Sequence, residues 1–193
     1  MDAEILKNQQ NFRILLEAMS RPGRLVRLGG IEAAAPFAAI LAVGGCLLDH
    51  EVSLCVIGGG NARALQAALV GATQGRPEVP EKADYLFIAG SHGQEAAARA
   101  KHGRLEAPEE GATLVYCLAG GAADASQRLQ VRLRGPGIAR PGGIPPEMPG
   151  VPPAEFQALM TVNADYPLGV DAFFVRPGGE LMGLPRSTRI QVG

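Results

Sequence analysis

Helical and strand signals alternate through the first half of the chain and strands cluster in the second, which predicts an α/β protein with a three-layer α/β/α arrangement and a mixed central sheet. Two observations set that class. Val52-Ser53-Leu54-Cys55-Val56-Ile57 and Tyr85-Leu86-Phe87-Ile88-Ala89 are short, almost wholly apolar runs followed by glycine, the pattern of strands buried on both faces. Near the end, the run Tyr166 to Val175 and the run Leu181 to Leu184 flank the turn Arg176-Pro177-Gly178-Gly179-Glu180, which reads as a hairpin. Thr188 to Val192 then alternates polar and apolar, so the chain is expected to close inside a sheet and to unfold if cut back.

The remaining elements follow in order. Phe12, Leu15, Leu16 and Met19 recur at helical spacing and predict a first helix with that stripe inward, stopped by Ser20-Arg21-Pro22-Gly23. Arg24 to Leu28 alternates as a short strand. Ala33 to Leu48 is apolar nearly all round and predicts a helix packed on several sides. Ala62 to Val70 reads as helix, Gln94 to His102 as an exposed helix, and Ala112 to Leu118 as a further strand. Leu129, Val131 and Leu133 alternate with Gln130, Arg132 and Arg134, predicting a strand with one wet face. Gly135 to Pro153 is crowded with Pro and Gly and reads as an irregular surface connection. Ala154 to Asn163 predicts a last helix with Phe156, Leu159 and Met160 inward.

At 193 residues, positions 1–193 are expected to form a single domain with a sizeable core. A formal net charge of -1 gives no field for nucleic acid. No apolar run approaches the ~20 residues that span a bilayer, so no membrane partner is expected. Met1 to Lys7 lacks the pattern of a signal peptide, which points to the cytoplasm. Cys46, Cys55 and Cys117 are odd in number and set among apolar residues, as reduced core thiols are.

Two polar clusters are candidate anion sites. Gly58-Gly59-Gly60-Asn61 follows a buried strand and precedes a helix, where backbone N–H groups could hold a phosphate. A tight strand-to-helix turn explains it as well, because Arg63 stands where the dinucleotide pattern needs glycine and no Gly-Lys-Ser/Thr follows. Arg186-Ser187-Thr188 sets a guanidinium beside two hydroxyls at a strand entrance, able to engage phosphate or simply to cap a sheet edge.

Other constellations fail on spacing. Cys46, His50 and Cys55 match no zinc template, so no metal is expected. Gly90-Ser91-His92-Gly93 is one residue short of a nucleophile elbow. His92 and His102 flank a polar segment, and Asp49, Glu51, Glu109 and Glu110 stand at element ends, where charged groups are usually solvated. No catalytic residue is assigned.

Ordered stretches nonetheless resemble a known family. Phe12-Arg13-x-Leu15-Leu16-x-Ala18-Met19-Ser20-x-Pro22-Gly23, Pro108-Glu109-Glu110-Gly111-Ala112-Thr113-Leu114 and Leu133-Arg134-Gly135-Pro136-Gly137-Ile138 come first. Tyr166-Pro167-Leu168-Gly169-Val170-Asp171 and Leu184-Pro185-Arg186-Ser187-Thr188 complete the set. Together they resemble the PhnH family, the H subunits of the bacterial carbon-phosphorus lyase system.

That resemblance implies a role in using alkylphosphonates as a phosphorus source. It implies an accessory subunit that, with subunits G, I and L, assists formation of ribose 1-methylphosphonate 5-triphosphate from ATP and methylphosphonate. The I subunit is the expected seat of that chemistry. The implied partners are a second copy of the chain, as a homodimer, and subunits G, I and J of a core complex. The implied fold is that of the large domain of pyridoxal-phosphate-dependent transferases. No cofactor is expected with it, since Lys7, Lys82 and Lys101 all stand where a Schiff-base lysine would not.

Overall fold

The structure is a computed structural model that describes residues 3–32, 34–90, 96–118, 131–138, 142–143 and 153–192. In chain order the first half runs α1 (Ala3–Ser20), β1 (Val26–Arg27), α2 (Ala38–Leu47), β2 (Ser53–Gly58), α3 (Ala62–Thr73), β3 (Arg76–Pro77) and β4 (Tyr85–Ala89). There follow α4 (Ala96–Arg99), a 3-10 turn (Pro108–Glu110), β5 (Thr113–Cys117), β6 (Val131–Arg134) and β7 (Gly142–Gly143). The last elements are α5 (Pro153–Val162), β8 (Asp171–Val175), β9 (Glu180–Leu184) and β10 (Arg189–Val192).

Seven strands form one mostly parallel sheet in the order β1-β9-β8-β5-β4-β2-β3. Strands β2, β4, β5 and β8 run parallel and in step. Leu54, Tyr85, Thr113 and Asp171 share a row at their N-terminal ends, and Gly58, Ala89, Cys117 and Val175 share one at their C-terminal ends. Strand β9 returns antiparallel on β8 through the Pro177-Gly178-Gly179 turn, as the hairpin signal predicts. Strands β10, β6 and β7 form a separate antiparallel sheet. The short edge strand β3 falls where the sequence reads only a loop, because Pro77 can lie on an edge whose outer side needs no ladder bond.

The apolar runs are explained by burial on both sides. Leu54, Phe87, Val115, Phe173 and Leu181 meet Leu15 of α1, Ile40 and Val43 of α2, and Leu65 and Leu69 of α3. On the opposite face Leu86, Leu114, Phe174 and Met182 meet Ala96 and Ala97 of α4, Phe156 and Leu159 of α5, and Leu133 and Ile190 of the small sheet. Phe174 stacks between Tyr116 and Phe156, with ring centroids 4.8 and 5.7 Å away.

Several expected faces turn out differently. On α1 the buried residues are Asn11, Leu15 and Ala18, while Phe12 and Leu16 are 41% and 54% exposed. The helix is turned by a polar clamp, since Asn11 Oδ1 accepts from Gly29 N–H (2.9 Å) and its Nδ2 donates to Gly29 O (3.3 Å). It is also drawn close by glycine: a Cβ on Gly183 would stand 2.8 Å from the Ala18 carbonyl carbon. On α5, Met160 points outward and Glu155 inward, where Tyr116 Oη donates to Glu155 Oε2 at 2.9 Å. Burial, with the Glu155 charge beside it, pushes the Tyr116 phenol well above its usual range.

Helix α4 is likewise packed rather than exposed, with Ala96, Ala97 and Ala100 buried. Helix α2 begins five residues later than its apolar run, because Pro36 disfavours helix at Ala35 and Phe37 adopts a left-handed conformation (φ 60). Strand β6 alternates buried and exposed as expected. Leu129 and Gln130, and positions 139–141 and 144–152 of the Pro/Gly-rich connection, lie outside the described residues.

The close α1–β9 approach yields a direct test. We expect Gly183→Ala to cost about 1–3 kcal/mol in denaturant unfolding, as overpacking does, because the contact is with backbone that cannot rotate away. An unchanged midpoint would contradict this seating of α1.

Candidate functional site

The two ends of the parallel strands differ sharply in chemistry. At the C-terminal ends the chain leaves β2 toward the β3 edge, whereas the later strands continue on the other side of β4. That reversal is a topological switch point, the usual place for a ligand in an open α/β sheet. A cavity of about 350 Å³ lies there. Its walls are Ala35, Phe37 and Ala38 at the start of α2, Gly59, Gly60 and Asn61 before α3, Ala89 and Gly90 after β4, and Cys117, Val175 and Pro177.

The local sequence accounts for this shape. Gly58 has φ +118, and a Cβ there would stand 2.3 Å from Ala89 O, so only glycine lets β2 turn away so near β4. Gly59 N–H donates to Ala89 O (3.2 Å), and Asn61 precedes α3 without a side-chain cap. The first N–H groups of α2 and α3 are already engaged beside the cavity, Ala38 N–H donating to Ala35 O (3.3 Å) and Ala62 N–H to Gly59 O (2.9 Å). Its described walls carry no acid, amine, imidazole or hydroxyl. Cys117 is their one titratable side chain, and burial pushes its thiol up to about 12, so it is no nucleophile at neutral pH. None of the three lysines lines the cavity. Lys7 donates to Gly30 O (2.8 Å), Lys82 is exposed and Lys101 pairs with Asp84.

At the N-terminal ends polar side chains stitch the strands together. Arg186 is the centre: its Nε and Nη2 donate to Asp171 Oδ2 (3.2 and 2.7 Å), and its backbone N–H donates to Asp171 Oδ1 (2.8 Å). Nη1 donates to Pro108 O (2.6 Å) and Nη2 to Gly111 O (3.4 Å). A Cβ on Gly111 would stand 2.4 Å from Gly169 O and 2.6 Å from Arg186 Nη1. Gly169 (φ +125) is pressed against Asn163, whose amide closes the loop by accepting from Val170 N–H (2.8 Å) and donating to Val170 O (3.1 Å).

The other resembling stretches join the same structure. A Cβ on Gly137 would stand 2.2 Å from Ser20 O, one on Gly135 3.0 Å from Ser187 O, and one on Gly23 2.6 Å from Leu133 Cδ1. So the quoted segments, far apart in sequence, fit against one another through glycines at the foot of the sheet. A second stitch joins β2 to β4. Ser53 N–H and Oγ donate to Asp84 Oδ2 (2.7 and 2.6 Å), and Lys101 Nζ donates to Oδ1. Burial raises the Asp84 carboxyl, but the bonds from Lys101 and Ser53 outweigh it and hold it below the usual range.

The sequence-derived candidates thus separate. Gly58, Gly59, Gly60 and Asn61 stand at the cavity end, whereas Arg186, Ser187 and Thr188 stand at the foot, four strand residues or about 13 Å away along the sheet. One triphosphate does not bridge them, and the Arg186 guanidinium is occupied by protein acceptors. Thr188 Oγ1 is buried without a partner among the described residues.

Cys46 of α2 packs on the α1–α3 side of the sheet, Cys55 of β2 points to the other, and no group able to hold a metal occurs among the described residues. Burial pushes the Cys46 thiol up to about 11. Ser91, His92 and Gly93 lie outside the described residues; His102 Nε2 bonds Ala97 O (2.8 Å). Glu110 pairs with Arg104, and Asp49 Oδ1 accepts from Glu51 N–H.

Sequence reasoning assigned no role to Asp171, Asn163, Asp84 or Glu155. The available signal was a single carboxylate opening a buried apolar strand, at Asp171 and again just before Tyr85.

Arg186→Lys loses the forked contact to Asp171 and leaves the backbone acceptors underfilled, so we expect it to lower stability by about 2–3 kcal/mol in denaturant unfolding; a wild-type midpoint would contradict the hub. A carboxyl depressed on folding contributes stability above its unfolded value and loses it as pH falls through the folded one. We therefore expect Asp84→Asn to flatten the decline of stability below about pH 4; identical acid slopes would contradict the stitch.

No curated protein matches the chain. Among the described residues no helix is long and apolar enough to cross a membrane. A family model described as bacterial phosphonate metabolism protein (PhnH) matches residues 1–191, nearly the whole chain. On that match, and on the ordered segments that meet at the foot of the sheet, the chain belongs to the PhnH family of bacterial phosphonate metabolism proteins.

Proposed function

We propose that this chain is an accessory subunit of the carbon-phosphorus lyase core complex in the cytoplasm. It assists subunits G, I and L in forming ribose 1-methylphosphonate 5-triphosphate from ATP and methylphosphonate, and it assembles with G, I and J. Family membership supports the phosphonate role. The observation that carries the accessory reading is the division of the sheet: polar groups at the foot are occupied in structural bonds, and the cavity end has Cys117 as its one described titratable wall residue. Autonomous phosphoryl or glycosyl chemistry needs placed acids, bases or cations. The mostly parallel sheet also supports likeness to the large domain of pyridoxal-phosphate-dependent transferases, with no cofactor proposed.

Homodimer formation belongs to the same proposal, and α1 supplies a surface for it. Ile5, Phe12 and Leu16 are 61%, 41% and 54% exposed and fall on one helical face. Charges of both signs, Glu4, Lys7, Arg13 and Glu17, lie along the same helix, a mixture compatible with a copy of itself. The final hairpin is buried in the core and leaves no comparable apolar face.

A second reading keeps the cavity as a binding site for a phosphate-bearing ligand, with Gly58 to Asn61 as its anion end. It is favoured by the position at the switch point. Calorimetry with ATP separates the readings, and an absence of heat at high protein concentration removes this one. A third reading is a pure assembly scaffold; variants that still assemble yet block growth on phosphonate would count against it.

We expect the isolated chain to leave ATP and methylphosphonate unchanged by phosphorus NMR and to copurify with the other subunits on coexpression. Turnover by the chain alone would contradict the accessory role. Phe12→Glu with Leu16→Glu is expected to shift sedimentation from dimer to monomer; an unchanged dimer would place the pairing elsewhere.

A further inference from the structure

The turn from Arg104 to Ala107 is built more firmly than a surface loop requires. Arg104 N–H donates to Ala107 O (3.2 Å) and Ala107 N–H to Arg104 O (3.0 Å). The Arg104 guanidinium grips both carboxylate oxygens of Glu110, at 3.1 and 2.9 Å. Gly103 (φ +79) is pressed so close to the following 3-10 turn that a Cβ would stand 2.8 Å from Pro108 O. This frame holds Leu105 out to solvent at 72% exposure.

A second exposed large side chain lies on a loop bonded to the same segment. Gly169 N–H donates to His102 O (2.9 Å), bringing the turn beside the loop that carries Tyr166, 59% exposed. Asn163, Gly169 and Asp171 in that loop are explained by internal contacts, whereas Tyr166 makes no hydrogen bond or ring contact among the described residues. A lone exposed leucine is ordinary. One fixed at the tip of a closed, ion-paired turn, on a segment bonded to the loop of an exposed tyrosine, is preorganised, which lowers the cost of ordering on binding.

Charge decides the occupant. Glu106, Glu109, Glu110 and Asp165 are exposed on the same two segments, and their exposed cation, Arg104, is already paired with Glu110. A second copy would bring the same acidic rim against this one, and an anionic lipid surface would be repelled. We propose that Leu105 and Tyr166 form a docking knob for a different protein chain, one offering an apolar pocket rimmed by arginine or lysine. This rests on the assembly reading above and names the surface that serves it.

The test measures binding of the full chain to immobilised, purified complex of subunits G, I and J. We expect Leu105→Asp to weaken binding at least about tenfold, as loss of a central anchor does. Glu106→Lys with Glu109→Lys should slow association and reduce its dependence on salt. Val79→Glu, at an exposed apolar residue outside both surfaces, should bind as wild type does. All these positions are exposed, and circular dichroism verifies folding. If wild type binds and both knob variants bind within twofold of it, the knob is overturned while the assembly reading stands. If wild type itself does not bind, the assembly reading falls and the knob with it.

Discussion

The Arg186–Asp171 pair is the contact on which the rest of the structure depends. It joins the turn after the final hairpin to the first residue of β8, and the same guanidinium reaches the two carbonyls that open and follow the 3-10 turn before β5. A planar fork of donors suits this job, whereas an ammonium would satisfy fewer acceptors in fixed directions. The arginine side chain is 14% exposed and the aspartate 26%, so solvent screens the pair only in part. Around it, Gly111, Gly135 and Gly169 permit backbone approaches that any Cβ would prevent.

This gives physical content to the segments that mark the family. They lie far apart in the chain, and none contains a complete reactive group. Folded, they become mutual neighbours: a helix end, a 3-10 turn, a strand with its following loop, a strand entrance and the last turn. Their residue types are those that steric fit and hydrogen bonding at the foot of the sheet demand. The other end, where α/β proteins usually bind ligands, is walled chiefly by alanine, glycine and larger apolar side chains.

Much of the fold was legible because buried strands announce themselves. Tyr85 to Ala89 and the second hairpin strand were read with their boundaries nearly right, since both faces of each strand meet core, whereas the first hairpin strand starts five residues later than its run. Helix faces were less legible. On α1 periodicity favoured Phe12 and Leu16, but a clamp between Asn11 and Gly29 and the closeness allowed by Gly183 turned smaller residues inward. On α5 a buried Tyr116–Glu155 bond did the same. Such pairs join positions 18 and 39 residues apart, a separation no local pattern encodes. For the candidate site, the Gly58 turn was found from its strand-to-helix setting. Arg186 was found without its partner, because nothing local to Asp171 shows that it faces an arginine 15 residues later.

Hydrogen exchange by mass spectrometry on Arg186→Lys measures the hub most directly. The account predicts that protection falls together in segments 108–111, 169–171 and 186–188, while 58–61 at the cavity keeps its wild-type rate. Loss confined to the mutated turn, with Gly111 and Gly169 as protected as before, would contradict it.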